Sequence, residues 1–201
     1  MEAIVLSAGS STRLGRPKAL LPLEGTTLLG RVLATLREAG LDRGVLVLGE
    51  HAEEILARVD VAPFVARRNP HPEAGRMGSV HVGLHVVAPD AAALLWPIDR
   101  PFASAATVRA LVEAVEGAAR NVGWIVPAFG RGRGHPVLLR VPVLAAVRAA
   151  PPDASLRDVL AATGATRLEV PVDDAGIHVN VDTDVDWERA LAWWSRQPER
   201  T

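Results

Sequence analysis

The sequence contains no cysteine, which excludes a disulfide framework, a cysteine nucleophile and a cysteine-bound zinc. It contains one lysine, Lys18, and the other 21 of its 22 basic residues are arginine. Against 23 acidic residues they leave a formal net charge of −1. No basic field therefore speaks for nucleic acid, and no polybasic run for a membrane surface. No apolar run approaches the ~18–20 residues that a membrane helix needs. The opening MEAIVLSAGSS has neither the basic n-region nor the long apolar h-region of a secretory signal, so a cytoplasmic protein is expected. Internal repeats, low-complexity linkers and breaks in composition are missing as well. The 201 residues suit one α/β domain spanning 1–201 and are too few for two ordinary ones.

What is present is concentrated near the start. The apolar run Ala3-Ile4-Val5-Leu6 has the length and content of a buried strand. It gives way to Ser7, Ala8, Gly9, Ser10, Ser11 and Thr12, followed by the cations Arg13, Arg16 and Lys18. Small residues let backbone N–H groups close around an anion, and hydroxyls add donors. Arginine supplies a planar fork and lysine a compact point charge for phosphate. The stretch reads as a triphosphate-binding loop, and the lone lysine falls inside it.

Further along, helical spacing predicts a helix from Leu28 to Ala39, stopped by Gly40, and others over 52–59, 78–87, 105–118 capped by Ser104, and 143–149. Ser155 with Asp158 resembles a capping box opening a helix to Thr163, and Thr183 caps a last helix to about Ser195. Strands are expected at 44–48, 63–66, 93–97, 124–127, 135–140, 168–170 and 177–181, with a flexible basic loop at 130–134. Strands apolar on both faces alternating with helices mean a mostly parallel sheet covered on both sides. The fold class is therefore α/β, a three-layer Rossmann-like domain whose ligands sit beyond the carboxyl ends of the strands. Ser7–Lys18, Asp99 and Asn180 all fall there. Trp193 and Trp194 fit either core or an interface.

The loop matches neither G-x-G-x-x-G nor G-K-[ST]. Leu6-Ser7-Ala8-Gly9-Ser10-Ser11-Thr12-Arg13-Leu14-Gly15-Arg16-Pro17-Lys18-Ala19-Leu20-Leu21 resembles the signature of nucleotidyltransferases with a Rossmann-like fold, the MobA-like NTP transferase superfamily. Within it the chain is most similar to the molybdenum cofactor cytidylyltransferase group. Guanylyltransferase relatives usually carry a second glycine where this chain has Ala8, and an acid where it has Pro17. The resemblance implies transfer of a nucleotide, CMP in that group, from a triphosphate to a phosphorylated acceptor such as molybdopterin, with Mg²⁺ as cofactor. It implies that Leu6, Ser7, Ala8, Gly9, Ser10, Ser11, Arg13 and Lys18 bind the nucleotide, with Arg13 and Lys18 acting in catalysis.

The other candidate residues follow from strand ends and from that resemblance. Asp99, in Pro97-Ile98-Asp99-Arg100-Pro101, is either a turn aspartate or, as the similar G-D-x-P motif implies, a metal ligand of the reaction. The chain has Ile98 for the glycine and Arg100 between the aspartate and the proline, an acceptor-side candidate beside the metal. Asn180-Val181-Asp182-Thr183-Asp184 reads as a helix cap or as the second ligand set, with Asn180 favoured over Asp182. Gly75, Gly78 and Ser79 lie in a small-residue loop whose family counterpart contacts base and ribose. His135, in Gly134-His135-Pro136-Val137, is either a bonded loop histidine or an acceptor-phosphate ligand. His81 and His85 have helical chelating spacing but no third ligand. The rival class is a non-catalytic dinucleotide-binding module, in which Glu50 would hold ribose.

Overall fold

Ala3, Ile4 and Val5 are fully buried at the centre of β1 (Glu2–Ser7), because this strand has neighbours on both edges and helices on both faces. The structure is a computed structural model that describes residues 1–197. Residues 198–201 of the expected domain lie outside the described part. After β1 come the short hairpin strands β2 (Pro22–Leu23) and β3 (Thr26–Thr27), then α1 (Leu28–Glu38), β4 (Gly44–Leu48) and α2 (Ala52–Arg58). They are followed by β5 (Val65–Arg68), α3 (Arg76–Leu84), β6 (Ala93–Pro97), α4 (Ala105–Gly117), β7 (Val122–Phe129), β8 (Gly132–Arg133) and β9 (Val137–Leu139). The chain continues with α5 (Val141–Ala149), α6 (Leu156–Ala162), β10 (Thr166–Pro171) and α7 (Asp184–Trp194).

The main sheet runs β10-β7-β9-β6-β1-β4-β5, with β8 paired to β7. Pairings of β1 with β4 and β6, of β4 with β5 and of β7 with β10 are parallel. β9 is antiparallel to β6 and β7. Alternate side chains enter opposite layers. Val5, Leu46 and Trp96 pack with α1, α2 and α4, whereas Ile4, Val47 and Leu95 pack with α3, α5 and α6. This is the expected three-layer, mostly parallel α/β fold.

Several expectations need correction. No strand forms at 177–181, where residues Ala175–His178 make a 3-10 turn. The place beside β6 is already filled on one side by β1 and on the other by β9, so this run cannot join the sheet next to Asp99. Its apolar residues, Ile177 and Val181, are instead buried as plugs. The basic loop at 130–134 is an ordered hairpin, with Phe129 opposite Gly132 and Ala128 opposite Arg133. β5 starts at Val65 rather than Pro63, because the Phe64 N–H donates to the Val61 carbonyl oxygen at 2.9 Å and closes a turn first. Ser155 makes no side-chain cap on α6. Its carbonyl oxygen takes the Asp158 and Val159 N–H groups at 3.1 and 3.0 Å. Trp194 is buried in the core and Trp193 half-buried at its edge, both against Phe102.

Candidate functional site

The loop after β1 turns on Ser11 and Gly15, both at positive φ (51° and 61°). The Leu14 N–H donates to the Ser11 carbonyl oxygen at 2.9 Å, and the Lys18 N–H to Ser11 Oγ at 3.2 Å. Leu14 is buried with Leu21, Phe102, Val181 and Trp187, so an apolar anchor fixes a loop whose polar side stays open. The loop borders a cavity of about 270 Å³. Of the expected residues, Leu6, Ser7, Ala8, Gly9, Ser10, Ser11, Arg13, Lys18, Ser79, Asp99 and Asp182 line it together. Gly75, Gly78, Arg100, His135 and Asn180 do not line it, and neither does Glu50.

Asp99 is delivered by β6. The Ile98 N–H continues the ladder to the Leu6 carbonyl oxygen at 3.0 Å, and the Arg100 N–H turns back to Pro97 at 3.0 Å. The Asp99 carbonyl oxygen accepts from the Val181 N–H at 2.9 Å, which docks the 180–184 segment against the strand end. Asp182 then meets the phosphate loop. Lys18 Nζ donates to its Oδ1 at 2.9 Å, Arg13 lies 3.7 Å from the same oxygen, and Asn180 Nδ2 donates to Oδ2 at 3.1 Å. The Lys18 hydrogen bond, then that from Asn180, hold the Asp182 carboxyl down at about 2. Asn180 thus meets the cavity through Asp182. The Thr183–Asp186 capping box of α7 is formed, and the Asp186 carboxylate also accepts from the Asp182 N–H at 3.2 Å.

The donor set suits a hard divalent cation. Asp99 and Asp182 offer carboxylate oxygens to one cavity, and Mg²⁺ takes one or two carboxylates, its other positions going to water and phosphate. No cluster of three or more His, Asp or Glu side chains that could hold a metal exists among the described residues.

His135 sits behind this cavity. Its N–H donates to the Ile177 carbonyl oxygen at 3.3 Å, and its buried Nδ1 has no hydrogen-bond partner among the described residues. Burial first, then the nearby Arg100 guanidinium, push the imidazole down to about 4. Arg100 donates to the His178 carbonyl oxygen at 3.0 Å. His81 and His85 do not chelate: His81 Nε2 bonds the Val147 carbonyl oxygen at 2.8 Å, and His85 Nδ1 the His81 carbonyl oxygen at 2.7 Å. Sequence reading missed Arg76, His51 and Ile55, which line the cavity. It also missed Asn69, whose buried Nδ2 donates to Ser79 Oγ at 3.0 Å. Arg76 stands inside the Gly75–Gly78 loop, so an arginine between two glycines was its one available signal.

Comparison with known proteins follows the same lines. Residues 3–168 match the MobA-like NTP transferase domain. The chain is 34% identical over 170 residues to nicotine blue oxidoreductase of Paenarthrobacter nicotinovorans, covering 80% of this chain and 74% of that protein. It is 32% identical over 109 residues to a molybdenum cofactor guanylyltransferase of Xanthomonas euvesicatoria, covering 54% of this chain and 52% of that protein. The crystal structure of Rv0371c from Mycobacterium tuberculosis in complex with manganese superposes with a TM-score of 0.81 at 28% identity, covering 95% and 97% of the two chains. With the family domain matched over residues 3–168, the chain belongs to the MobA-like NTP transferase family.

Proposed function

We propose that this protein transfers a nucleoside monophosphate, CMP by its resemblance to the cytidylyltransferase group, from a nucleoside triphosphate to a phosphorylated acceptor of the molybdopterin type. The observation that carries the reading is one cavity lined by Lys18, Arg13, Asp99 and Asp182. An acceptor phosphate oxygen attacks the α-phosphorus, the bond to the bridging oxygen breaks, and pyrophosphate leaves with the electron pair. The nucleophile is already anionic, so positioning and charge stabilisation suffice. Arg13 and Lys18 exchange Asp182 for the triphosphate and steady the leaving group. A bound Mg²⁺, held by Asp99 and Asp182 with Asn180 behind, would supply further neutralisation of phosphate charge. Ser79, fixed by Asn69, is the base-side candidate. The substrates are intracellular metabolites, which suits a cytoplasmic protein. No helix among the described residues is long and apolar enough to cross a membrane.

The test is pyrophosphate release from CTP, GTP, UTP and ATP against phosphorylated acceptors, with and without Mg²⁺, for the wild type and Asp99→Asn. Metal-dependent release with one triphosphate, lost in Asp99→Asn although nucleotide still binds, is expected. Near-native turnover of that variant at saturating Mg²⁺ would remove the metal from Asp99. GTP use is the alternative that the guanylyltransferase relative favours, and a sugar phosphate is the alternative acceptor. A second reading rests on the relative named as an oxidoreductase. In it the same cavity binds a nucleotide for redox chemistry, and oxidation of a reduced nicotinamide dinucleotide without pyrophosphate release would favour it.

A further inference from the structure

Asn69 and Ser79 are polar but buried, 4% and 8% exposed, and they bond each other where β5 leads towards α3. The Asn69 N–H donates to the Leu48 carbonyl oxygen at the end of β4, at 2.7 Å. The side-chain amide has only one orientation open to it. The His71 N–H, a backbone donor, meets one of its two end atoms at 3.0 Å, and that atom must be the oxygen. The Nδ2 end therefore faces Ser79 Oγ at 3.0 Å and donates to it. A hydroxyl has one proton and two lone pairs, so the Ser79 proton is left for another acceptor. Ser79 makes no other hydrogen bond among the described residues. The carbonyl oxygen one turn back, a common partner of a helical serine, is not used. Ser79 lines the cavity, so its unspent proton is available to whatever fills that side.

Sheet order decides which end of a nucleotide that is. In the run β6-β1-β4-β5, the phosphate loop leaves β1 and Asp99 leaves β6. The Val181 N–H docks the Asp182 segment on the β6 side, and Arg13 and Lys18 are held there through Asp182. Ser79 stands on the other side, tied through Asn69 to the end of β4. His51 and Ile55, which follow β4, line the cavity there too. The reacting phosphates belong with the carboxylates, which leaves the nucleoside end for the β4 side. Arg76 is the one permanent charge that this side adds among the described residues.

We propose that Asn69 is a positioning residue that makes Ser79 a fixed hydrogen-bond donor, and that Ser79 reads an acceptor atom on the edge of the nucleobase. This rests on the transfer reading, which puts a nucleotide in the cavity. It adds the polarity of the base contact and the residue that sets it. A base that presents an N–H at this point leaves two donors facing each other, and an unmatched buried polar group is what rejects it.

The test measures calorimetric binding of CTP, UTP, GTP and ATP with Mg²⁺ and without acceptor, beside inorganic tripolyphosphate, which has no base. The readout is the ratio of dissociation constants between the best-bound triphosphate and the others, in which effects common to all triphosphates cancel. Ser79→Ala should shrink that lead about tenfold, the worth of one hydrogen bond, and leave tripolyphosphate unchanged. Asn69→Leu should do the same, and in the Ser79→Ala background it should add less than about twofold. Asn69→Asp keeps the shape and the acceptor for His71 but removes the donor, so it should shrink the lead as well. It replaces Asn69→Leu if circular dichroism shows the leucine variant unfolded. Independent, additive losses would make Asn69 a packing residue and overturn the proposal. So would an unchanged ratio with all four triphosphates weakened alike, which puts Ser79 on the ribose, or weakened tripolyphosphate, which puts it on the phosphates. Failure of the transfer reading looks different: the base ratios respond as stated while no triphosphate yields pyrophosphate.

Discussion

His135 shows how much one residue's environment changes what its identity suggests. As a histidine after a Gly-Arg loop it promises a cation for phosphate, but burial and Arg100 hold it down to about 4, so it is neutral near pH 7. In the unfolded chain it titrates at its ordinary 6.5. The unfolded state therefore binds more protons between these values, and stability rises with pH across that window. Above pH 6.5 both states are neutral and no penalty exists. As pH falls to 4 the penalty grows to roughly 3 kcal/mol, at about 1.4 kcal/mol per unit. His135→Asn should flatten the fall in urea-measured stability between pH 7 and 4 by about that amount. The depressed carboxyls of Asp182, Asp186 and Glu169 lose their contributions at lower pH and are common to both proteins. Parallel pH curves for the two proteins would show that the imidazole is not held neutral. At this scale the cavity positions of Lys18 and Asp99 were legible because a glycine-hydroxyl run and a strand end announce them, whereas Asp182 was ranked behind Asn180 at the end of a strand that does not form. Arg76 was not read, since its place between two glycines is a faint mark among 21 arginines.

Among elements, two identical-looking signals had opposite outcomes. Ser155 with Asp158 and Thr183 with Asp186 both suggest a capping box, yet only the second forms. Both residues are extended, but the Asp158 N–H goes to the Ser155 carbonyl oxygen at 3.1 Å, whereas the Asp186 N–H goes to Thr183 Oγ1 at 3.2 Å. Local sequence cannot make that distinction, because tertiary docking decides it. The Val181–Asp99 bond sets the entry to α7. The absent strand at 177–181 has the same origin, since occupancy of both edges of β6 is a property of the whole sheet. Thr183→Ala should cost about 1 kcal/mol, the usual value of a lost N-cap. Ser104→Ala on α4, where Ser104 Oγ accepts from the Thr107 N–H at 3.1 Å, should cost about the same. Only Thr183→Ala should also raise the nucleotide KM, because the same Asp186 carboxylate bonds the Asp182 N–H. Urea melts paired with pyrophosphate-release kinetics check this, and equal KM values for the two variants would detach the cap from the site.

On the scale of the molecule, the core falls into three clusters rather than two. Two cover the faces of the sheet, and their strands were readable from apolar runs alone. The third joins Leu14, Leu21 and Leu23 of the phosphate-loop region to Phe102, Val181, Trp187 and Trp194, and nothing in their spacing connects residues so far apart. This cluster carries both halves of the candidate site, the loop with Lys18 and the helix cap with Asp182. Trp194 Nε1 adds a hydrogen bond to Glu24 at 2.9 Å, and Arg31 stacks over the Trp194 ring at 4.8 Å. A region packed as its own cluster, outside the ladders of the sheet, should open as a unit at lower free energy than the strands. Trp187 is its buried centre, and truncating a buried tryptophan costs about 3–5 kcal/mol. In Trp187→Ala, amide hydrogen exchange should therefore accelerate together in residues 14–23 and 184–194, while β1, β4 and β6 keep their protection. Tripolyphosphate with Mg²⁺ should restore protection in both segments, because it bridges Lys18 on one to the cavity wall carrying Asp182 on the other. Acceleration confined to α7 would mean that the helix and the phosphate loop are energetically separate, and that the site is assembled by the substrate alone.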